Sequence, residues 1–262
     1  MTKLALAFVS MFLFSSTSPA DVFDNVKHRN SLIVGVKTDY LPFGFRDRSG
    51  AIVGLEPDLA ADAAKQLGLA LQLMPVTAAN RIELLQTGKI DLIIATLTDT
   101  PDRRQAVDIV EPHYYADFTN VLMRRDSPIF KWEDFKGRKL CATTGAVHIP
   151  AAIAYGAGVA AFDGTELPLA ALERGECLGY IYNQSYIIGK LMDRKVRGEF
   201  EMPLSGIIEA RWAVAVKKGE DRFKRAIQAI AVSWIKSGLI FELEDKWHVP
   251  PNAFMMHLRD GQ

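Results

Sequence analysis

Cysteine is nearly absent from this sequence: Cys141 and Cys177 are the only two in 262 residues. Two are too few for a disulfide-stapled scaffold, and without CxxC or His-x-x-x-His spacing a metal site has little to stand on. Each cysteine opens an apolar, strand-like run, so two readings stand: a bridge, if those strands are neighbours, or two separate buried thiols. Net charge is missing as well. Lys and Arg together number 31, and so do Asp and Glu, which leaves no electrostatic footprint for nucleic acid or an anionic membrane surface. Gly-x-Ser-x-Gly, HExxH and phosphate-loop patterns do not occur, so no cofactor is expected.

Long apolar runs are confined to the first residues, "MTKLALAFVSMFLFSSTSPA". One lysine, a short apolar core and small residues ending at Ala20 read as a secretory signal over residues 1–20. The run is short for a membrane span. The expected mature chain starts near Asp21, is exported and soluble, and has no cysteine near the cleavage point to carry a lipid.

About 240 mature residues suit two compact lobes or one large domain. "SLIVGVK", "LALQLMPV" and "DLIIAT" read as strands, separated by the helices "EPDLAADAAKQLG" and "ANRIELLQTG". In the first helix Leu59, Ala63 and Leu67 share a face, Pro57 suits the first turn and Gly68 ends it. Alternating strand and helix predict a parallel-dominated sheet covered on both faces. The alternation restarts with "WEDFKG", "RKLCATTG", "AVHIPAAIAYG", "VAAF", "LPLAALERG", "CLGYIYN" and "QSYIIGKLM", which predicts a second α/β unit. The closing stretch, "RWAVAVKKG" and the amphipathic "DRFKRAIQAIAVSWIKSG", is too small for a domain and is expected to pack back on the first unit. Such a path crosses between units twice, near Ala116 to Asn120 and near Ala210 to Trp212, and two extended crossings make a hinge.

These residues resemble the amino-acid-type solute-binding proteins that feed ABC importers. The resemblance rests on "GVKTDYLPFGF" with "GLEPDLA", on "TPDRRQAVDIVEPHYY", on "DFKGRKLCATTG" and on "SWIKSG" followed by "DKW", in the family's order. "VTAANRIELLQTGKIDL" is most similar to the glutamate/aspartate-binding branch, with Glu83 where that branch has proline. The resemblance implies an α/β, two-lobed periplasmic-binding-protein fold of type II with a two-strand hinge. Lobe 1 is expected over 21–117 plus 212–262 and lobe 2 over 118–211. It implies a monomeric periplasmic protein, not an enzyme, that takes a small carboxylate-bearing solute and hands it to the membrane subunits of an ABC permease.

The resemblance also places Arg103 in the cleft, where a planar guanidinium makes two parallel bonds to an α-carboxylate. Arg104 reads instead as a surface arginine paired with Asp102 or Asp108. Thr98 and Thr96 would offer hydroxyl or backbone contacts, since alternate strand residues point one way. Arg81 and Lys37 fall where the acidic-ligand branch meets a side-chain carboxylate, although lysines at strand ends are usually solvated. Tyr40 and Phe43 fall at the family's aromatic wall, with a plain core role as the competing reading. In lobe 2, Thr143 and Gly145 remain available, but Gly145-Ala146-Val147 replaces a hydroxyl-bearing G-T-T or G-S-T. Asn183 stands where the family has its amine-binding aspartate. The ligand is then either an acidic amino acid whose amine meets another group, such as Asp39, Asp163 or Glu209, or an amine-free dicarboxylate.

Exported cyclohexadienyl dehydratases resemble the same fold, so an enzyme is the competing class, with Glu56, Asp58 and Glu209 as candidate acids. A free ligand-sensing protein that docks on a receptor is the other. His113 replaces a family aromatic and reads as structural.

Overall fold

The computed structural model describes residues 21–249 and 253–260; the expected signal segment lies outside them. Among the described residues, twelve strands form two sheets. The strands are β1 (Ser31–Val36), β2 (Asp39–Tyr40), β3 (Gly44–Arg46), β4 (Ile52–Val53), β5 (Ala70–Pro75), β6 (Leu92–Ile93) and β7 (Val107–Arg124), then β8 (Lys139–Thr143), β9 (Gly158–Phe162), β10 (Gly179–Asn183), β11 (Phe200–Glu201) and β12 (Ile207–Lys217). The helices are α1 (Val22–Arg29), α2 (Leu55–Leu67), α3 (Arg81–Gln86), α4 (Pro101–Ala106), α5 (His148–Ala154), α6 (Glu166–Glu173), α7 (Gln184–Leu191), α8 (Arg194–Glu199), α9 (Asp221–Lys236), α10 (Leu239–Trp247) and α11 (Ala253–Asp260). A 3-10 turn covers Trp132–Phe135.

The main sheet runs β5-β1-β6-β12-β7-β10-β8-β9, with β11 also on β7. β1 is parallel to β5 and β6, and β8 is parallel to β9 and β10. Between these two parallel groups stand the antiparallel partners β7 and β12. They pair through Thr119↔Ile207, Asp117↔Ala210, Ala116↔Arg211 and Tyr115↔Trp212, with register shifts on either side, between Ile207/Glu209 and Trp212/Val214. Those are the residues at which the sequence predicted two crossings, so the hinge is a ladder shared by both lobes.

The local reasons are those of ordinary patterning. α2 buries Leu55, Glu56, Leu59, Ala60, Ala63 and Ala64, and Gly68 caps it in the left-handed region. Its first turn is tied to the small β2-β3-β4 sheet: Leu55 N–H donates to Pro42 O at 3.2 Å and Glu56 N–H to Phe43 O at 2.8 Å. Those bonds satisfy donors that a helix start leaves open. α9 buries Phe223, Ile227, Ile230 and Trp234. It packs on α2, where Trp234 Nε1 donates to Asp62 at 2.7 Å. The closing segment therefore packs back on α2. Of the two readings for the cysteines, the bridge is realised: Cys141 and Cys177 are joined, because β8 and β10 are adjacent in parallel.

Candidate functional site

Arg103 projects from α4, whose start is capped by Thr100: its hydroxyl accepts from Arg103 N–H at 3.3 Å. The guanidinium turns inward. Nη1 donates to Thr98 O at 2.8 Å in lobe 1, and Nη2 donates to Gly145 O at 3.0 Å in lobe 2. Burial, then the like charge of Arg81, pushes Arg103 down to about 9, so it remains a cation at neutral pH. Arg104, next in sequence, is exposed and pairs with Asp99 at 2.5 Å and with Glu111. Its partners are thus not Asp102 or Asp108; Asp108 meets Lys218 at 3.2 Å. His113 also has a partner, Asp99 at 2.9 Å.

A narrow cleft lies between the lobes, lined by Ala78, Arg81, Thr96, Thr98 and Arg103 from lobe 1 and by Ala146, Val147, His148, Tyr182 and Asn183 from lobe 2. Five of the residues singled out in the sequence therefore share one cleft, and Gly145 touches it through its carbonyl. Arg81 is almost wholly buried. Its Nη1 donates to Ala95 O, and its Nε has no hydrogen-bond partner among the described residues. Thr96 does not continue a strand: its φ is 49°, a conformation a β-branched residue seldom takes. Its N–H donates to Glu56 Oε1 at 2.6 Å and to the Tyr114 hydroxyl at 3.2 Å, which holds it there.

Lys37, Tyr40 and Thr143 are not among the lining residues. Lys37 is fully buried and stands 2.8 Å from Asp39, an ion pair whose atoms are not aligned for a hydrogen bond. Burial holds its pKa below the usual lysine range, opposed by Asp39. The Tyr40 hydroxyl meets Ser185 Oγ across the lobes at 2.8 Å. The Tyr40 ring packs on Phe43, Tyr182 and Tyr186 at 5.3 to 5.8 Å; Tyr40 and Phe43 are both fully buried and neither lines the cleft, so the core reading holds for them and the aromatic ring in the lining is Tyr182. The Thr143 hydroxyl is taken up by Gly164 O at 2.9 Å and the Tyr180 hydroxyl at 2.7 Å. Of the acids suggested for a ligand amine, Asp163 and Glu209 are exposed. Asp39 instead accepts from Thr165 N–H at 2.9 Å.

Two lining groups escaped the sequence reading. His148 opens α5 and is buried, with Nδ1 2.9 Å from the Thr119 hydroxyl. Burial and then Arg103 push it down to about 3, so it is neutral. Tyr182 stacks on Tyr180 at 5.3 Å. Beside them, Asn183 Oδ1 is buried with no hydrogen-bond partner among the described residues. The signal for both was their place: one at a helix start after Gly145, the other next to Asn183.

Two lobes, a shared two-strand hinge and a polar cleft across it describe a protein that closes on a small solute. The sequence signature of bacterial extracellular solute-binding proteins, family 3, matches residues 32–250. The chain belongs to that family. This binding protein is 28% identical over 240 residues to the ABC transporter glutamine-binding protein GlnH of Bacillus subtilis, covering 89% of this chain and 86% of that one. Its fold is similar to a mutant of ArgBP from T. maritima, at TM-score 0.81 and 26% identity, covering 87% of this chain and 100% of that one. It is also similar to the ancestral amino acid-binding protein AncCDT-1, described as a precursor of cyclohexadienyl dehydratase, at TM-score 0.77 and 25% identity, over 87% and 99% of the two chains. Among the described residues of the binding protein, no single helix is long and apolar enough to cross a membrane, and no cluster of three or more metal-ligating side chains occurs.

Proposed function

We propose that this binding protein captures a small carboxylate-bearing solute in the periplasm and delivers it to the membrane subunits of an ABC permease. The solute is an acidic amino acid or an amine-free dicarboxylate. One observation carries this reading: two guanidiniums, Arg81 and Arg103, face one cleft whose lining, among the described residues, contains no carboxylate. Two buried like charges repel unless an anion lies between them. A cationic solute would need an acid in that lining.

Asn183 favours the amino acid over the amine-free acid, because its unpartnered Oδ1 can accept from an ammonium group. Catalysis is disfavoured. Glu56 and Asp58 do not line the cleft, Glu209 is exposed, and His148, a ring in the lining able to exchange protons, is held neutral.

Lobe 1 comprises 21–117 and 212–262, lobe 2 comprises 118–211, and the protein acts as a monomer. Solute bridges the lobes and stabilises the closed arrangement by contacts absent from the open one. A thermal-shift screen of the mature protein against amino acids and dicarboxylates, followed by calorimetry, tests this. Arg103→Ala is expected to lose measurable binding while the melting point of the solute-free protein moves by only a few degrees, with Arg104→Ala as the control that binds normally. Undiminished binding by Arg103→Ala, or a screen answered only by cationic amino acids, overturns the reading. Turnover of prephenate by the same samples would favour an enzyme.

A further inference from the structure

Glu56 has no part in the scheme above, yet its carboxyl group lies directly behind the cleft. It sits on the buried stripe of α2, fully enclosed, where the pattern of Leu59, Ala60 and Ala63 calls for an apolar residue. Oε1 accepts from Thr96 N–H at 2.6 Å and from the Tyr114 hydroxyl at 2.5 Å, while Oε2 has no hydrogen-bond partner among the described residues. Thr96 itself lines the cleft.

The groups whose charge reaches Glu56 come from four elements. Lys37 follows β1, Arg81 opens α3, Tyr114 is on β7 and Tyr182 is on β10. Asp39 faces Lys37 from the start of β2. Burial raises both tyrosines well above their ordinary range, so they stay neutral. Around the cleft the basic groups Lys37, Arg81 and Arg103 stand against the carboxyl groups of Asp39, Glu56 and, beyond Tyr182, Asp117. Protonating Glu56 makes that cluster one charge more positive.

We propose that Glu56 sets the charge class of the solute through its proton: a singly charged anion is held with Glu56 ionised, and a doubly charged anion with Glu56 protonated, the proton being taken from water as the lobes close. This rests on the reading of the cleft as an anion site. A negative charge brought into a cleft closed to water raises the proton affinity of a neighbouring carboxylate. Burial already pushes Glu56 up to about 7, opposed by its bonds to Tyr114 and Thr96 and by Arg81 and Lys37. The group is therefore poised to gain a proton at neutral pH. The sign follows from linkage: binding that takes up a proton tightens as pH falls.

The test is calorimetry between about pH 6 and 8 with 2-oxoglutarate, L-glutamate and L-glutamine. The first two share a carbon skeleton and differ by one charge, and the third is neutral. On the wild type, the dissociation constant for 2-oxoglutarate is expected to rise up to about tenfold per pH unit above neutrality, the limit for one proton. L-glutamate should respond less and L-glutamine not at all. Glu56→Gln keeps an oxygen for Thr96 N–H and should give a flat profile at the acid-limb affinity. A slope that survives in Glu56→Gln overturns the proposal and moves the proton to Lys37 or to the buried hinge residue Asp117, which burial pushes up to about 6. Should Glu56→Gln fail to fold, infrared spectra of the wild type decide, by gain or no gain of a buried protonated-carboxyl band on adding 2-oxoglutarate.

Failure of the anion reading gives a different pattern. If L-arginine binds and the acids do not, Glu56 should release its proton, so affinity rises with pH and that slope vanishes in Glu56→Gln. If none of these solutes binds, an infrared pH titration of the solute-free protein still decides, because no carboxyl titrating near neutrality overturns the proposal.

Discussion

Arg103 and Arg104 are adjacent and chemically identical, yet one crosses between lobes and the other pairs on the surface with Asp99 and Glu111. The difference is the hundred-degree step between neighbours on a helix, which sends one side chain under α4 and the other over it. Asn183 is the other residue whose identity matters singly. Asn183→Asp would place a charge-assisted partner beside an ammonium group, a gain of about 1–3 kcal/mol for amine-bearing ligands. The ratio of affinities for L-glutamate and 2-oxoglutarate should therefore move toward the amino acid by roughly fivefold or more. An unchanged ratio removes Asn183 from the site. At this scale the sequence was readable where chemistry forces a residue type, as with a guanidinium for a carboxylate. It was not readable for Lys37, because a lysine near a strand end looks solvated until the fold closes over it.

The elements with clean periodicity were legible: α2 buries Leu59 and Ala63 of its predicted face, with Leu67 half-buried, and stops at Gly68, and the stretch read as amphipathic forms α9. Elements whose existence depends on distant partners were not. β7 extends over 18 residues because it pairs with β10 and β11 at one end and β12 along much of its length, and no local pattern states that. The short β2-β3-β4 sheet, α4 and α8 likewise lack a run long enough to carry a period. The predicted "DLIIAT" strand pairs over only Leu92 and Ile93. The disulfide belongs to this scale, closing 36 residues between β8 and the approach to β10. Chain-entropy reasoning gives such a loop about 4 kcal/mol. The double variant Cys141→Ala/Cys177→Ala should melt well below the wild type in calorimetry, with solute affinity changed by less than threefold because neither residue lines the cleft. Unaltered melting would mean that the bridge contributes nothing to lobe 2.

Across the whole molecule the lobes are linked by polar contacts besides the shared ladder and the packed rings. Thr165 donates to Asp39 O at 2.8 Å, Tyr40 meets Ser185, and Arg103 meets Gly145. Gly145 has φ +75°, and a Cβ there would lie 2.6 Å from Ala78 O, main chain of the opposite lobe. Gly145→Ala is therefore expected to hinder closure. The left-handed conformation alone costs roughly 1–2 kcal/mol, or a few degrees of melting in a chain of this size. The solute dissociation constant should rise by more than tenfold, because the clash belongs to the closed arrangement. Small-angle scattering on the variant with solute should report a larger radius of gyration than wild type. Equal affinity and equal radius would show that the lobes need not approach so closely at Gly145.

Separating the two lobes would break a ladder they share. β7 gives hydrogen bonds to strands on both sides, so a cut through it would leave each fragment with a bare sheet margin. A half-length piece of this chain, expressed alone, is for that reason a candidate for precipitation, not for a minimal receptor.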